Sequence, residues 1–138
     1  WQPQKTSNGG LYRFDMVCRI KNKIECDFWE TISRHFNTRY VILEFKNYAK
    51  KITQKEVYTT EKYLYIKALR SVAILISCKG TDKNANKAIR GAFRENGKLI
   101  ISLSNADLIK MLNIKLEQKE LDAYLYSKLD DILIDLEK

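Results

Sequence analysis

Histidine and proline are nearly absent from this sequence, with one of each in 138 residues. The single His35 removes histidine-based metal sites and most acid–base relays from consideration. It stands between Arg34 and Phe36 and is at most a lone general base, a role that a water activated by a metal ion does not require. Cysteine is also scarce. Cys18, Cys26 and Cys78 form no C-x-x-C pair, so neither a zinc site nor a disulfide framework is indicated, and the thiols read as small apolar filler. No apolar run approaches the roughly 20 residues that cross a bilayer; Val72 to Ile76 is typical of the runs present. The first ten residues are polar and turn-prone and carry no secretory pattern. Together with an odd cysteine count, this sets the expectation of a cytoplasmic chain with reduced thiols and no membrane partner. The chain does not open on Met, which sets the further expectation that it is a piece of something longer. Glycine-rich phosphate loops of the G-x-G-x-x-G or G-x-x-x-x-G-K-[ST] kind are missing, which excludes dinucleotide and P-loop sites. Internal repeats and low-complexity tracts are missing as well.

What is present is apolar bulk and positive charge. Hydrophobic residues make up 45% and charged residues 30%, with a net charge of +8. That composition suits a globular domain with a buried core. The charge is localised: residues 46–98 hold 13 basic and 4 acidic groups, a local +9, whereas residues 99–138 hold 5 and 8, a local −3. A concentrated basic surface attracts polyanions, and nucleic acid is the default partner.

Periodicity gives the order of elements. Leu11 to Ile20 reads as a strand or a pair of short strands after the turn signal Asn8-Gly-Gly10, and Phe28 to Asn37 as a short helix. Tyr40 to Lys46 is a buried strand. Thr53 and Glu56 form a capping box that starts a helix. Val72–Ser77 is a strand, and about Lys83–Glu95 is a helix stopped by Asn96-Gly97. Leu99–Leu103 is a strand, Ser104 with Asp107 caps a helix to about Asn113, and Leu121–Leu136 is a last helix. Alternating apolar strands and helices imply an α/β fold with a central mixed, mainly parallel sheet flanked by helices on both faces. Residues 1–138 read as one domain, with 1–9 as an N-terminal extension or linker and 117–138 holding the C-terminal helix.

Glu44 and Lys46 are out of place in this pattern. They stand two apart in a strand otherwise built from Val41, Ile42, Leu43 and Phe45, so both side chains share one face. A buried carboxylate is costly unless it is paired or bound to a cation. At the end of a buried strand it can hold a divalent cation. The neighbouring lysine can position or help activate an attacking water, or stabilise charge on a phosphate. A second carboxylate is needed for Mg2+, and Asp15, in the first apolar strand, can supply it. The plainer alternative stays open: a structural Glu44–Lys46 salt bridge with Asp15 as an edge charge.

The tract Val41-Ile-Leu-Glu-Phe-Lys-Asn-Tyr48, preceded by Arg13-Phe-Asp15 and followed by a helix and the strand Val72–Ser77, resembles the PD-(D/E)xK nuclease superfamily. The likeness is to its type IV restriction, or Mrr-like, branch, over roughly residues 9 to 112. The resemblance implies a restriction-endonuclease-like core, Asp15 and Glu44 as ligands of Mg2+ (or Mn2+), and Lys46 as the catalytic lysine. It implies a metal-dependent endonuclease acting on DNA rather than RNA in a restriction or anti-phage defence setting. It also admits a homodimer and a sensor domain attached upstream. Gln54 or Lys55 could supply the further Gln or Lys that many members carry on the next helix, and Arg13 is an accessory candidate. The first motif lacks the Pro of the family name. The helix on which many members carry a further carboxylate, before the first strand, would lie upstream of Trp1 or is absent. The alternative is a non-catalytic nucleic-acid-binding or interaction module on the same fold.

Two basic groups are candidates for phosphate contacts. Lys50, Lys51 and Lys55 follow the E-x-K strand directly. Lys83, Lys87, Arg90 and Arg94 are spaced four, three and four apart and form one stripe along a helix, opposite an apolar face of Ala85, Ala88, Ile89, Ala92 and Phe93. A merely solvated face is the competing reading of that stripe. Tyr58, Tyr63 and Tyr65 share one helix and could stack on bases, although core packing and partial exposure are the plainer explanation.

Overall fold

A five-stranded mixed sheet organises the chain in the computed structural model, which describes residues 2–6, 13–21 and 27–136. The strands lie side by side in chain order: β1 (Gln2–Thr6), β2 (Arg13–Arg19), β3 (Tyr40–Lys46), β4 (Val72–Ser77) and β5 (Leu99–Ser104). The first three are antiparallel neighbours, and β3, β4 and β5 run parallel. Two parallel links require crossovers, supplied by α2 (Gln54–Tyr63) and α3 (Lys83–Asn96). The remaining helices are α1 (Asp27–His35), α4 (Asn105–Leu116) and α5 (Asp122–Ile134). The α/β class and the mixed sheet flanked by helices are therefore as expected.

The strand β1 is a departure from that expectation. Residues 1–9 read as an extension or linker, yet Gln2–Thr6 pairs antiparallel with β2, from Gln2 opposite Val17 to Thr6 opposite Arg13. Proline and polar residues disqualify a central strand but are tolerated at an edge, and β1 is an edge strand. The turn signal Asn8-Gly-Gly10 and Cys26 lie outside the described residues.

The core follows from the apolar strands. Ile42, Val72, Ala73, Leu75, Leu99 and Ile100 are fully buried, together with Phe28 and Ile32 of α1 and Val57 of α2. Helix starts are fixed by side chains. Glu56 accepts the Thr53 amide at 2.9 Å, Asp82 accepts the Ala85 amide at 2.8 Å, and Asp107 accepts the Ser104 amide at 2.8 Å. α3 ends on Gly97 at φ 65°, a left-handed conformation that glycine adopts without strain. α5 closes over α1, where Tyr126 donates or accepts at Thr31 Oγ1 (2.7 Å) and its ring meets Phe28 edge-on.

The fold also determines where a ligand could approach. The loops after β3 and β4 are stitched together: the Ile52 amide donates to Gly80 O at 2.8 Å, and the Asp82 amide donates to Ile52 O at 2.9 Å. Both loops lie at the carboxyl ends of parallel strands, where open α/β sheets form their binding crevices. Among the described residues no helix is long and apolar enough to cross a membrane.

Candidate active site

The site begins where two strands part. β2 and β3 are paired from Arg19 opposite Tyr40 to Met16 opposite Leu43. One more step would set Asp15 opposite Glu44. Side chains take over the backbone pairing there. The Asp15 amide donates to Glu44 Oε1 at 3.0 Å, and the Phe45 amide donates to Asp15 Oδ2 at 2.8 Å. The carboxylates thus satisfy backbone donors that the ladder leaves behind at the fork, and this brings the two acids together.

Lys46 completes the group. Strand alternation puts it on the face of Glu44, and its Nζ lies 3.5 Å from Glu44 Oε2. Phe45 points the other way and is largely exposed. The Glu44 side chain is only 2% exposed and that of Lys46 is 20% exposed. Asp15 is half-buried.

Burial pushes the Glu44 carboxyl above its ordinary value of 4.5. The Asp15 amide opposes that rise, the negative Asp15 carboxylate adds to it, and Lys46 opposes it. The net direction is upward. A desolvated carboxylate with a second carboxylate beside it favours the arrival of positive charge, either a proton or a cation. Hard oxygen donors of this kind suit Mg2+ or Mn2+. Among the described residues no group of three or more His, Cys, Asp or Glu side chains is arranged around a common ion position. A cation here would have two protein carboxylates, Asp15 and Glu44. The rest of its shell would come from water and substrate oxygens, which is the habit of Mg2+.

Two further residues belong to this neighbourhood. Ser77, the last residue of β4, is the register partner of Lys46. It is 2% exposed and its hydroxyl has no hydrogen-bond partner, an omission that ordinarily costs about 1–3 kcal/mol. Strand register is not readable from one sequence, so Ser77 carried no signal there. Tyr63, at the end of α2, is half-buried; burial raises its phenol, and the charges of Glu44 and Asp15 raise it further while Lys46 opposes. The sequence marks it only as one of three tyrosines expected on one helix, and of these Tyr65 lies beyond the end of α2, bridged to Arg70.

The basic candidates separate into two groups. Lys50 and Lys51 are exposed on the loop after β3, Gln54 and Lys55 are exposed on the first turn of α2, and Lys79 is exposed on the facing loop. These surround the carboxyl end of the E-x-K strand. The α3 stripe is not uniform. Lys83, Lys87 and Arg94 are exposed and Arg90 is half-buried, while Arg94 Nη1 donates to Leu136 O at 3.1 Å. Leu136, just beyond α5, therefore engages one cation of the stripe expected to face nucleic acid. Arg13 lies in β2, and its side chain is outside the described part. His35 is exposed, and Cys18 and Cys78 are half-buried free thiols.

A second lysine–carboxylate pair lines a cavity of about 360 Å3 between β5 and helices α3, α4 and α5. Asp107 accepts Lys128 Nζ at 2.7 Å, the Ser104 amide at 2.8 Å, the Ser104 hydroxyl at 3.0 Å and the Tyr124 hydroxyl. Burial alone would raise the Asp107 carboxyl. Lys128, Ser104 and Tyr124 outweigh it and hold the group down to about 2. Tyr124 is pushed up to about 12 by burial and by its bond to Asp107. No family model, curated protein or solved structure matches the chain.

Proposed function

We propose that this chain is a metal-dependent nuclease domain of the PD-(D/E)xK type, with a restriction-endonuclease-like core, that hydrolyses phosphodiester bonds of DNA. The observation that carries the reading is the fork at Asp15 and Glu44. There, two acids from adjacent strands meet, with Lys46 3.5 Å from the buried one. Asp15 and Glu44 would hold Mg2+ or Mn2+. When bound, the cation supplies Lewis-acid polarisation of the phosphate and a more acidic water. Lys46 donates to the phosphoryl oxygen or the attacking water. Lys50, Lys51 and Lys55 bind flanking phosphates, which orients the scissile bond without reading sequence. The defence setting, an upstream sensor domain and pairing of two copies to cut both strands belong to the same proposal through the family resemblance.

One observation favours a second reading, a nucleic-acid-binding module on the same fold that does not cut. The backbone amides and Lys46 already give both carboxylates partners without a cation. Incubation of supercoiled plasmid with Mg2+, Mn2+ or EDTA separates the two. Nicked or linear product that appears with either cation and disappears with EDTA is expected. An EDTA-insensitive gel shift with no product over hours selects the binding module.

A further inference from the structure

Buried hydroxyls in this chain are satisfied almost throughout. Thr60 Oγ1 donates to Glu56 O at 2.9 Å, Ser71 Oγ to Phe36 O at 2.6 Å, and Thr38 Oγ1 to Tyr40 O at 2.8 Å. Among the described residues Ser77 is the one buried serine or threonine whose hydroxyl has no partner. Its place in the sheet explains both the deficit and a use for it. On one side its register partner is Ser104, whose hydroxyl is committed to Asp107 at 3.0 Å. On the other side its register partner is Lys46, one strand spacing of about 4.8 Å away and on the same face.

Lys46 is also incompletely held. Its ammonium carries three donors, and its contact with Glu44 at 3.5 Å is long beside the roughly 2.7–2.9 Å of a close charge-assisted bond. The residue that carries this ammonium is thus the same-face strand neighbour of one whose sealed hydroxyl lacks a partner. The geometry points to Ser77 as a positioning residue for Lys46: its hydroxyl accepts a hydrogen bond from the ammonium and holds it toward the scissile phosphate. Ser77 is too deeply buried to meet substrate and acts only through Lys46. The inference rests on the nuclease reading given above.

The test measures kcat and KM for plasmid cleavage in Mg2+ or Mn2+ by the wild-type chain, Ser77→Ala and Ser77→Thr, with urea unfolding of each. Misplacing a reacting group by about an ångström costs about a hundredfold in rate, so Ser77→Ala is expected to lose that much in kcat with KM unchanged. Its stability should equal or exceed that of the wild type, because an orphaned polar group has been removed. Ser77→Thr, which keeps the hydroxyl, should recover most of the rate. An active wild type with an equally active Ser77→Ala overturns the role of Ser77 and leaves the nuclease reading standing. A Ser77→Ala chain that loses stability and raises KM while kcat falls also overturns it, in favour of a packing role. A wild type that cuts with neither cation overturns both.

Discussion

Two lysine–carboxylate pairs sit at different places in this sheet, and their carboxyl groups are driven in opposite directions. Asp107 at the end of β5 lies 2.7 Å from Lys128 and is held down to about 2. Glu44 in β3 lies 3.5 Å from Lys46 and is pushed up. Both carboxylates are buried, Glu44 the more deeply, with its side chain 2% exposed against 13% for Asp107. Their donors differ as well. Asp107 receives a lysine, an amide and two hydroxyls. Glu44 receives one amide and a distant lysine, and it faces the negative Asp15. The first is a closed network that fixes the start of α4 and its contact with α5. The second keeps a deficit of positive charge, as the proposed cation site requires.

Breaking each pair should therefore have different consequences. The largest contrast is in catalysis. Asp15→Ala and Lys46→Ala are each expected to lower the cleavage rate by about a thousandfold, with the far-ultraviolet circular dichroism spectrum unchanged, whereas Lys128→Ala should cut at the wild-type rate once folded. Equal activity in all three would erase the distinction. Next comes stability: Asp107→Ala should lose about 3 kcal/mol in urea unfolding, because it strands a partly buried lysine and a helix start. Glu44→Gln, which removes a desolvated charge, should be as stable as the wild type or more so at pH 7.

The pH dependence sharpens the same comparison. A depressed carboxyl contributes stability above its ordinary value, and that stability is lost as pH falls. For Asp107 the loss runs from 3.8 down to about 2. A raised carboxyl does the reverse. Glu44 carries no penalty below 4.5, and one grows as pH rises from there through its raised value. In melting temperature against pH, Asp107→Asn should flatten the acid limb, and Glu44→Gln should remove a decline on its neutral side. The smallest expected effect is in binding. Lys50→Ala or Lys51→Ala should each reduce the salt slope of duplex binding by about 0.9, while Arg94→Ala, whose guanidinium is tied to Leu136 O, should leave it unchanged. A fall with Arg94→Ala would restore the full α3 stripe as a nucleic-acid face.

Much of this was legible in the residues because the signals were local. The apolar runs 40–46, 72–77 and 99–103 are strands, and Thr53/Glu56, Ser104/Asp107 and Asn96-Gly97 mark helix ends as read. The pairing of Asp15 with Glu44 was expected from the need of Mg2+ for a second carboxylate and from family resemblance rather than from spacing, since 29 residues separate them; the two side-chain bonds place them together. What stayed hidden depends on neighbours far apart in the chain. β1 carries Pro3 and polar residues that only an edge tolerates. Ser77 gains meaning only when β4 is aligned on Lys46. Arg94 changed character because the residues after α5 return to α3, a tertiary contact that helical spacing cannot reveal.

The central claim is that Asp15 and Glu44 share a cation. Titration of the wild-type chain with Mn2+, followed by electron paramagnetic resonance of the free ion, tests it without requiring cleavage. One saturable site per chain, weakened at least about tenfold by Asp15→Asn and by Glu44→Gln and untouched by Asp107→Asn, is the predicted result, since each ligand contributes more than 1.4 kcal/mol. No saturable binding, or a site that survives loss of both acids, would contradict the account.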